Sequence, residues 1–182
     1  MDNGASSYRR FLEGDENALG EIMEEYFFPL VFFVNRYVRD VHAAEDISMD
    51  VISDLLVRKR YNGKVKFKTY LFMMGKSRAL NHLKKARRTG TAELSEADGA
   101  YDGEDELIAR AAADERRRAV NAALDKLPRD MRAAVHLIYF EDLTYDEAAR
   151  VMGKSRKQVD NLLYRAKKEL RVILGEEGRK LL

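Results

Sequence analysis

The chain has 182 residues, 46% of them hydrophobic and 35% charged, which suffices for one ordinary domain or two small ones and argues against global disorder. It contains no cysteine, which excludes disulfides and thiolate metal sites and fits a reducing compartment. The sequence has no apolar run of about 18 residues and no basic-then-apolar leader, so we expect a cytoplasmic protein without membrane insertion.

The formal net charge of +2 conceals a strong segregation of charge along the chain. Residues 13–54 hold eleven acidic and two basic side chains, whereas residues 55–92 hold twelve basic side chains and no acidic one. Residues 93–115 are acidic again, with nine acids and one base. Such runs can be merely solvated faces, but the mutual repulsion of twelve uncompensated bases favours a bound polyanion.

The first half of the chain has the three-to-four-residue apolar spacing of amphipathic helices over residues 8–56. Pro29 is expected to kink or break the helix in which it lies. Residues 30–38 are almost continuously apolar and predict a helix buried on most sides. A further helix is expected over about residues 42–59, with an acidic outer face.

The middle of the chain continues with a turn signal at Asn62–Gly63 and a helix expected over about residues 67–88. Gly75 within that helix costs about 1 kcal/mol relative to alanine, so it is predicted to mark close packing. Residues 89–103 hold three glycines, several acids and little apolar period, which indicates a linker. Helical spacing resumes at about residue 104, and Pro128 is expected to start a further helix.

Two helix starts lie eleven residues apart near the C-terminus. Thr144 with Glu147 forms the first capping-box pattern, and Ser155 with Gln158 forms the second. The short helix after the first start ends at Gly153, a residue suited to the left-handed position that closes a helix. A short helix, a glycine turn and a second capped helix are typical of a helix-turn-helix, and the alternative is an ordinary helical hairpin with a basic surface.

The second of these helices is expected to expose a polar, largely basic face from its first turn onward. An arginine side chain can pair with guanine, and glutamine or asparagine can pair with adenine. Basic side chains that flank them can contact the DNA phosphates. The side chains predicted to read duplex DNA are Arg156, Lys157, Gln158, Asn161 and Arg165.

No strand-like alternation occurs along the sequence, so the fold class predicted is all-α. The pattern indicates two small helical domains joined by a flexible acidic linker, with the helix-turn-helix in the C-terminal domain. The predicted boundaries are 1–88 for the first domain, 89–103 for the linker and 104–182 for the second domain.

Both halves of the sequence resemble one family. Residues 124–135, 139–149 and 159–168 resemble region 4 of extracytoplasmic-function (ECF) sigma factors of the sigma-70 family, including the Leu-Pro helix start and the Arg-Ala-Lys end. Residues 44–51 (AEDISMDV) and 67–85 resemble region 2 of the same family. The chain departs from the usual family residues at Met49, Tyr70, Ser77, Asn81, Asp160 and Leu162.

The resemblance implies a transcription initiation subunit that is not an enzyme and has no cofactor, metal site or small-molecule substrate. The implied partners are core RNA polymerase, promoter DNA and an anti-sigma factor, and the five residues on the second capped helix would read the −35 element. The side chains expected to dock on the polymerase are Glu45, Asp46, Met49 and Asp50. Those expected to contact the −10 element are Lys64, Lys66, Lys76, Ser77, Asn81, Lys84 and Lys85.

Three aromatic residues, Phe67, Tyr70 and Phe72, interleave along the sequence with the lysines Lys64, Lys66 and Lys68. They could stack on unpaired nucleotides or belong to the core, and the core interpretation is favoured for at least one of Tyr70 and Phe72.

Two other functions remain open from the sequence. A stand-alone helix-turn-helix regulator would bind DNA without polymerase and would need a dimer interface or a sensor domain. A helical interaction module with incidental basic patches would bind DNA weakly and with little dependence on salt. An enzyme is the least supported, because the sequence offers no nucleophile–base pair, phosphate loop or metal-ligand cluster.

Overall fold

The computed structural model describes residues 3–58, 60–89 and 115–178, with the side chains of 115–119 and 176–178 excepted. The helices of the first half are α1 (Asn3–Leu12), α2 (Asn17–Val38), α3 (Val41–Arg58) and α4 (Phe67–Thr89). Those of the second half are α5 (Glu115–Asp125), α6 (Arg129–Val135), a π-helical segment (His136–Phe140), α7 (Tyr145–Met152) and α8 (Arg156–Gly178). The described residues contain no strand, and the all-α prediction is confirmed.

The central helix of the first half is α2, which packs against α1, α3 and α4. Pro29 lies inside α2, which continues through it, so the alternative that the helix breaks there is wrong. Proline has the φ of a helix and removes one backbone donor, and the buried stretch that follows holds the helix together through packing. The burial predicted for residues 30–38 is confirmed, since Leu30, Phe33 and Val34 are wholly inaccessible to solvent.

Helix α4 packs closely on α2 at Gly75. A Cβ added at Gly75 would lie 2.8 Å from Leu30 Cδ1 and 3.2 Å from Val34 Cγ2. Only a residue without a side chain therefore allows this approach, which confirms the close packing predicted for Gly75. The contact fixes which face of α4 turns away from the core.

In the second half, Pro128 lies immediately before α6, as expected of a proline that starts a helix. The helix expected after Pro128 continues beyond α6 as the π-helical segment, which ends at Phe140. Glu141 and Asp142 follow it, and the φ of Asp142 is +53°. Positive φ is tolerated by aspartate better than by most residues. Thr89, the first residue of the predicted linker 89–103, is the last residue of α4, and the rest of that linker and the helix start expected at about 104 lie outside the described residues.

The two halves are in contact with each other. Helix α4 packs against α7, and α2 packs against α6. The described residues of both halves contribute to one buried apolar cluster. The helix-turn-helix therefore lies against the helix that carries the predicted −10 residues.

Candidate nucleic-acid interface

Both predicted capping boxes form at the helix-turn-helix. The Glu147 amide donates to Thr144 Oγ1 at 3.3 Å, and the Thr144 amide donates to Glu147 Oε2 at 2.8 Å. The Gln158 amide donates to Ser155 Oγ at 3.2 Å, and the Ser155 amide donates to Gln158 Oε1 at 2.8 Å. Gly153 has the left-handed φ of +62° between the two helices. These local bonds fix where α7 ends and α8 begins.

Helix α8 buries Val159, Leu163 and Ala166 and turns its polar face outward. All five residues predicted to read duplex DNA lie on α8 and are exposed. Gln158 has a structural role as well, because its side-chain oxygen caps the helix. The Arg156 guanidinium lies 3.6 Å from Asp146 of α7, and both side chains are largely exposed. The N-terminal turn of α8 is thus presented as a polar surface of the kind that enters a major groove.

The predicted −10 residues divide into two groups. Five of them are exposed and make no contact described with the second half of the chain, one in the bend before α4 and four within that helix. They are Lys64, Ser77, Asn81, Lys84 and Lys85. Because four of the five lie along one helix and no acidic side chain occurs in residues 55–92, this face of α4 is a continuous polar and basic surface.

The other two predicted −10 residues contact the second half of the chain. Lys66 Nζ lies 2.9 Å from Glu147 Oε1, although the lysine side chain remains 64% exposed. The Lys76 amine donates to the carbonyl of Met152, and its side chain is half-buried. Burial is the main cause that lowers the pKa of Lys76, and the neighbouring Asp130 carboxylate acts in the opposite direction.

The aromatic residues near the −10 segment belong mainly to the core. Phe67 and Phe72 are wholly inaccessible to solvent, so the hypothesis that they stack on unpaired nucleotides is wrong for both. Phe67 packs edge-on against Tyr26 and Tyr61, and Phe72 packs against Phe33. Tyr70 is half-buried and packs against Tyr61.

The predicted polymerase-binding residues lie together on α3. Asp46, Met49 and Asp50 are exposed, and Glu45 is half-buried. Met49 is a large apolar side chain that is 45% exposed between these acids. Arg78 of α4 reaches across to Asp50 at 3.5 Å and also pairs with Asp54.

A charged cluster that the sequence did not indicate lies between the two halves. Lys68 Nζ is 2.8 Å from Glu141 Oε2 and also donates to the Glu141 carbonyl at 2.9 Å. Glu141 Oε1 lies 3.1 Å from His136 Nε2, without the alignment of a hydrogen bond. Lys68 and Glu141 are 73 residues apart, so no local pattern could have paired them.

The combined effects of burial and neighbouring charges lower the pKa values of both Glu141 and His136. Burial is the largest influence on the pKa of Glu141 and would raise it, but the contacts with His136 and Lys68 outweigh it and hold that pKa below its ordinary value. Burial lowers the pKa of His136, against the effect of Glu141. The imidazole stacks between Phe33 and Phe140, which explains the strong desolvation.

The part of the chain that the structure describes holds neither a metal-ligand cluster nor a membrane-spanning helix. No group of three or more histidine, aspartate or glutamate side chains among the described residues could hold a metal ion. Within the same residues, no helix is both long and apolar enough to cross a bilayer.

Comparison with protein families gives two matches in chain order. The model "Sigma-70 region 2" matches residues 22–89, and the model "Sigma-70, region 4" matches residues 117–170. Together the two matches include every residue predicted to contact the −10 and −35 elements and the polymerase.

Individual relatives match over most of the chain. The RNA polymerase sigma-H factor of Pseudomonas aeruginosa is 25% identical over 170 residues, which cover 88% of each protein. The ECF RNA polymerase sigma factor SigM of Bacillus subtilis is 21% identical over 155 residues, covering 85% of this chain and 94% of the relative.

Two solved structures share the fold. The sigma factor RpoE of Bartonella quintana, solved with the anti-sigma factor NepR, has a TM-score of 0.64 at 19% identity and covers 86% of this chain and 96% of its own. CnrH, solved with the cytosolic domain of CnrY, has a TM-score of 0.62 at 20% identity and covers 94% of both chains.

Proposed function

Because the chain belongs to the sigma-70 family, in its ECF group, and is a sigma factor that directs promoter-specific transcription initiation, we propose that three surfaces divide this work. One surface reads the −35 duplex, one engages the −10 element, and one docks on core RNA polymerase. The observation that carries the proposal is that the capped N-terminus of α8 and the basic face of α4 are both exposed in a chain matched by both sigma regions.

The −35 surface is the outer face of α8. Arg156, Lys157, Gln158, Asn161 and Arg165 project from it, and their donors and acceptors suit base edges and phosphates. The capping boxes support this role, since they orient the first turn of α8 without using its outward side chains other than Gln158.

The −10 surface is the basic face of α4 with the bend before it. Lys84 and Lys85 supply positive charge for the backbone, while Ser77 and Asn81 lie one helical turn apart and can share a base edge. Lys64, Lys66 and Lys76 extend the surface toward the N-terminal end of α4. With two of the three neighbouring aromatics in the core, polar and cationic groups supply most of the contacts.

The polymerase surface is the outer face of α3. Glu45, Asp46, Met49 and Asp50 combine negative charge with one exposed apolar side chain, a composition suited to a basic partner surface with an apolar contact. The protein supplies no catalysis of its own and acts in the cytoplasm, where polymerase and promoter DNA are found.

An inhibitory partner is also proposed. One of the two structural neighbours was solved in complex with NepR, an anti-sigma factor, and the other with the cytosolic domain of CnrY. A comparable anti-sigma protein is expected to bind this chain, and co-expression with candidate binding proteins, followed by co-purification, would identify it.

The proposal is tested by in vitro transcription with core polymerase on a library of promoter fragments. Transcripts that depend on the added protein are expected, and Asn161→Ala is expected to weaken use of the same promoters by about 1–3 kcal/mol of binding free energy. Arg150→Ala, at an exposed site on α7 outside the proposed surface, is the matched control. No stimulation on any fragment would refute the proposed function.

A second variant pair separates docking on the polymerase from DNA reading. Met49→Ala is expected to weaken binding to core polymerase in the absence of DNA. Leu12→Ala serves as the control, because Leu12 is 39% exposed on α1, outside the proposed polymerase surface. Equal polymerase affinity of both variants and the unchanged protein would contradict the assignment of α3.

A further inference from the structure

The N-terminal helix α1 lies outside both family matches, because the region 2 match begins at residue 22. It nevertheless packs against the bend before α4, which comprises residues 60–66. The buried ring of Tyr8 in α1 lies 5.6 Å, centroid to centroid, from the ring of Tyr61 in the bend and also from that of Phe67. Phe67 is the first residue of α4. Helix α1 therefore contacts the segment that leads into the −10 surface.

The Tyr8 hydroxyl makes polar contacts on both sides of this segment. It donates at 3.1 Å to the Leu55 carbonyl, which is among the last four of α3 that a helix leaves without an intrahelical partner. Burial is the main cause that raises the pKa of Tyr8, and a hydrogen bond from the Tyr61 backbone acts in the opposite direction. One buried hydroxyl group thus joins the end of α3 to Tyr61 of the bend.

Local features give the bend a defined shape. The Tyr61 hydroxyl donates to the Val65 carbonyl at 2.9 Å. The Lys64 amide donates to Asn62 Oδ1 at 3.1 Å, as in an Asx turn. Gly63 between them has a φ of +74°, which a residue without a side chain adopts at little cost. The bend is therefore closed by the Tyr61 side chain, while Asn62 and Lys64 remain exposed.

The ring of Tyr61 is held by further aromatic rings besides that of Tyr8. It contacts Phe67 edge-on at 5.2 Å and Tyr70 at 5.4 Å, both measured between ring centroids. Aromatic pairs of this kind stabilise a structure beyond the burial of their area. The orientation of the Tyr61 ring determines where its hydroxyl meets the Val65 carbonyl. A ring that is freed on the side of α1 would therefore loosen the bend.

Support from behind matters here because the bend carries exposed polar groups without the regular hydrogen bonding of a helix. Connecting segments are more mobile than the elements that they join. Groups that recognise a ligand must be held to within about 0.5 Å of their working positions, which requires packed residues behind them. Tyr8 and Tyr61 stand in that relation to the exposed groups of the bend.

We propose that Tyr8 is a positioning residue for the −10 element, which acts through Tyr61 to hold the bend before α4 in the shape that meets DNA. Tyr8 is only 3% exposed and does not touch DNA itself. The inference rests on the −10 role proposed for the bend, and it adds to that role a helix that neither family match includes.

The mobility of the bend tests the first step and needs neither polymerase nor DNA. The chain contains no cysteine, so Lys64→Cys accepts a single spin label on the full-length protein. Tyr8→Phe removes only the hydroxyl and is expected to narrow the room-temperature spectrum of the label, which reports faster motion. Tyr37→Phe is the matched control and should leave the spectrum unchanged. Tyr37 is 5% exposed, and its hydroxyl has no hydrogen-bond partner among the described residues.

Transcription from substituted promoters tests the second step. Single base pairs are replaced in the −10 and −35 elements of a promoter that the unchanged protein transcribes with core polymerase. Because one hydrogen bond is lost, Tyr8→Phe is expected to reduce discrimination against −10 substitutions about threefold to tenfold. Discrimination against −35 substitutions should not change. A variant that had merely lost stability would lower transcription from every promoter by the same factor and leave both ratios as they were.

A double-variant cycle tests whether Tyr8 acts through Tyr61. Tyr61→Phe removes the bond to Val65 and is expected to lower −10 discrimination by itself. Adding Tyr8→Phe should then have little further effect, because both changes act on the same support of the bend.

A substitution elsewhere on α1 keeps the inference testable if Tyr8→Phe does not fold. The Cβ of Gly4→Ala would lie 2.5 Å from Phe67 Cδ1 and would displace α1 from the start of α4. This variant is expected to narrow the label spectrum and to reduce −10 discrimination. Gly20→Ala, whose Cβ would meet nothing within 4 Å, is its control.

Three results would overturn the inference. They are an unchanged label spectrum in Tyr8→Phe, an equal loss of discrimination at −10 and −35, and full additivity of Tyr8→Phe and Tyr61→Phe. Absence of transcripts from the unchanged protein would instead refute the proposed function, and the label spectrum would still report on the bend.

Discussion

The contact between α2 and α4 can be tested by adding one methyl group at Gly75. The new Cβ of Gly75→Ala would lie 2.8 Å from Leu30 Cδ1 and 3.2 Å from Val34 Cγ2, both closer than ordinary van der Waals contact. Leu30 and Val34 are wholly buried, so neither side chain can move into solvent to make room. The same substitution at Gly20, an exposed site in α2, would meet nothing within 4 Å and is the matched control.

The expected magnitudes follow from two opposing effects. Replacing glycine by alanine inside a helix stabilises it by about 0.5–1 kcal/mol. Forcing an extra methyl group into a packed core costs about 1–3 kcal/mol. We therefore expect Gly75→Ala to lower the free energy of unfolding by about 1 kcal/mol, and Gly20→Ala to raise it by about 0.5–1 kcal/mol.

Urea unfolding followed by the helical circular-dichroism signal measures both variants against the unchanged protein. The difference between the two variants, about 2 kcal/mol, exceeds the usual error of such measurements. A Gly75→Ala protein as stable as Gly20→Ala would refute the close approach of α4 to α2, and with it the orientation of the basic face.

Three further predictions concern the helix-turn-helix and the buried histidine. Thr144→Ala, which removes the acceptor for the Glu147 amide, is expected to cost about 1 kcal/mol in urea unfolding, whereas Thr144→Ser should retain most of the stability. Gly153→Ala places a Cβ at φ +62° and is expected to cost about 1–2 kcal/mol in the same assay, with a smaller loss for Gly153→Asn. Because burial lowers the pKa of His136, the unfolded chain binds a proton that the folded chain does not, and the free energy of unfolding should fall as the pH drops below 6.5. In His136→Gln the free energy of unfolding should depend less on pH from pH 7 downward. If His136→Gln and the exposed-site variant His82→Gln lose stability equally as the pH falls, the dependence is not due to His136.

The helix-turn-helix could be predicted from the sequence because its determinants are local. Each hydrogen bond of the two capping boxes, and each bond that the Gly153 amide donates, joins residues no more than four positions apart along the chain. Local hydrogen bonds are encoded by residue spacing, so the positions of both helix starts agree with the structure.

The helix break that Pro29 favours locally does not occur, because tertiary packing outweighs it. The buried residues after Pro29 hold α2 on three neighbouring helices. The burial of Phe67 and Phe72 could not be read from spacing either, because an aromatic side chain between lysines has the same spacing whether it faces a ligand or the core.

The contacts between regions 2 and 4 could not be predicted at all. Lys68 meets Glu141, and Arg39 meets Asp125, across 73 and 86 residues of sequence. Helical periodicity tells which side of a helix is apolar, but it does not tell which polar sides meet. The π-helical segment beside this contact has no distinct residue pattern either, and it was predicted simply as helix.

The two oxygens of Glu147 have separate partners. Oε2 accepts from the amide and the hydroxyl of Thr144, while Oε1 faces Lys66 across the interface. Loss of the Lys66 contact would therefore leave the helix cap intact, because the capping bonds use the other oxygen. The start of α7 is thus set by its own residues and does not depend on the packing of α7 against α4.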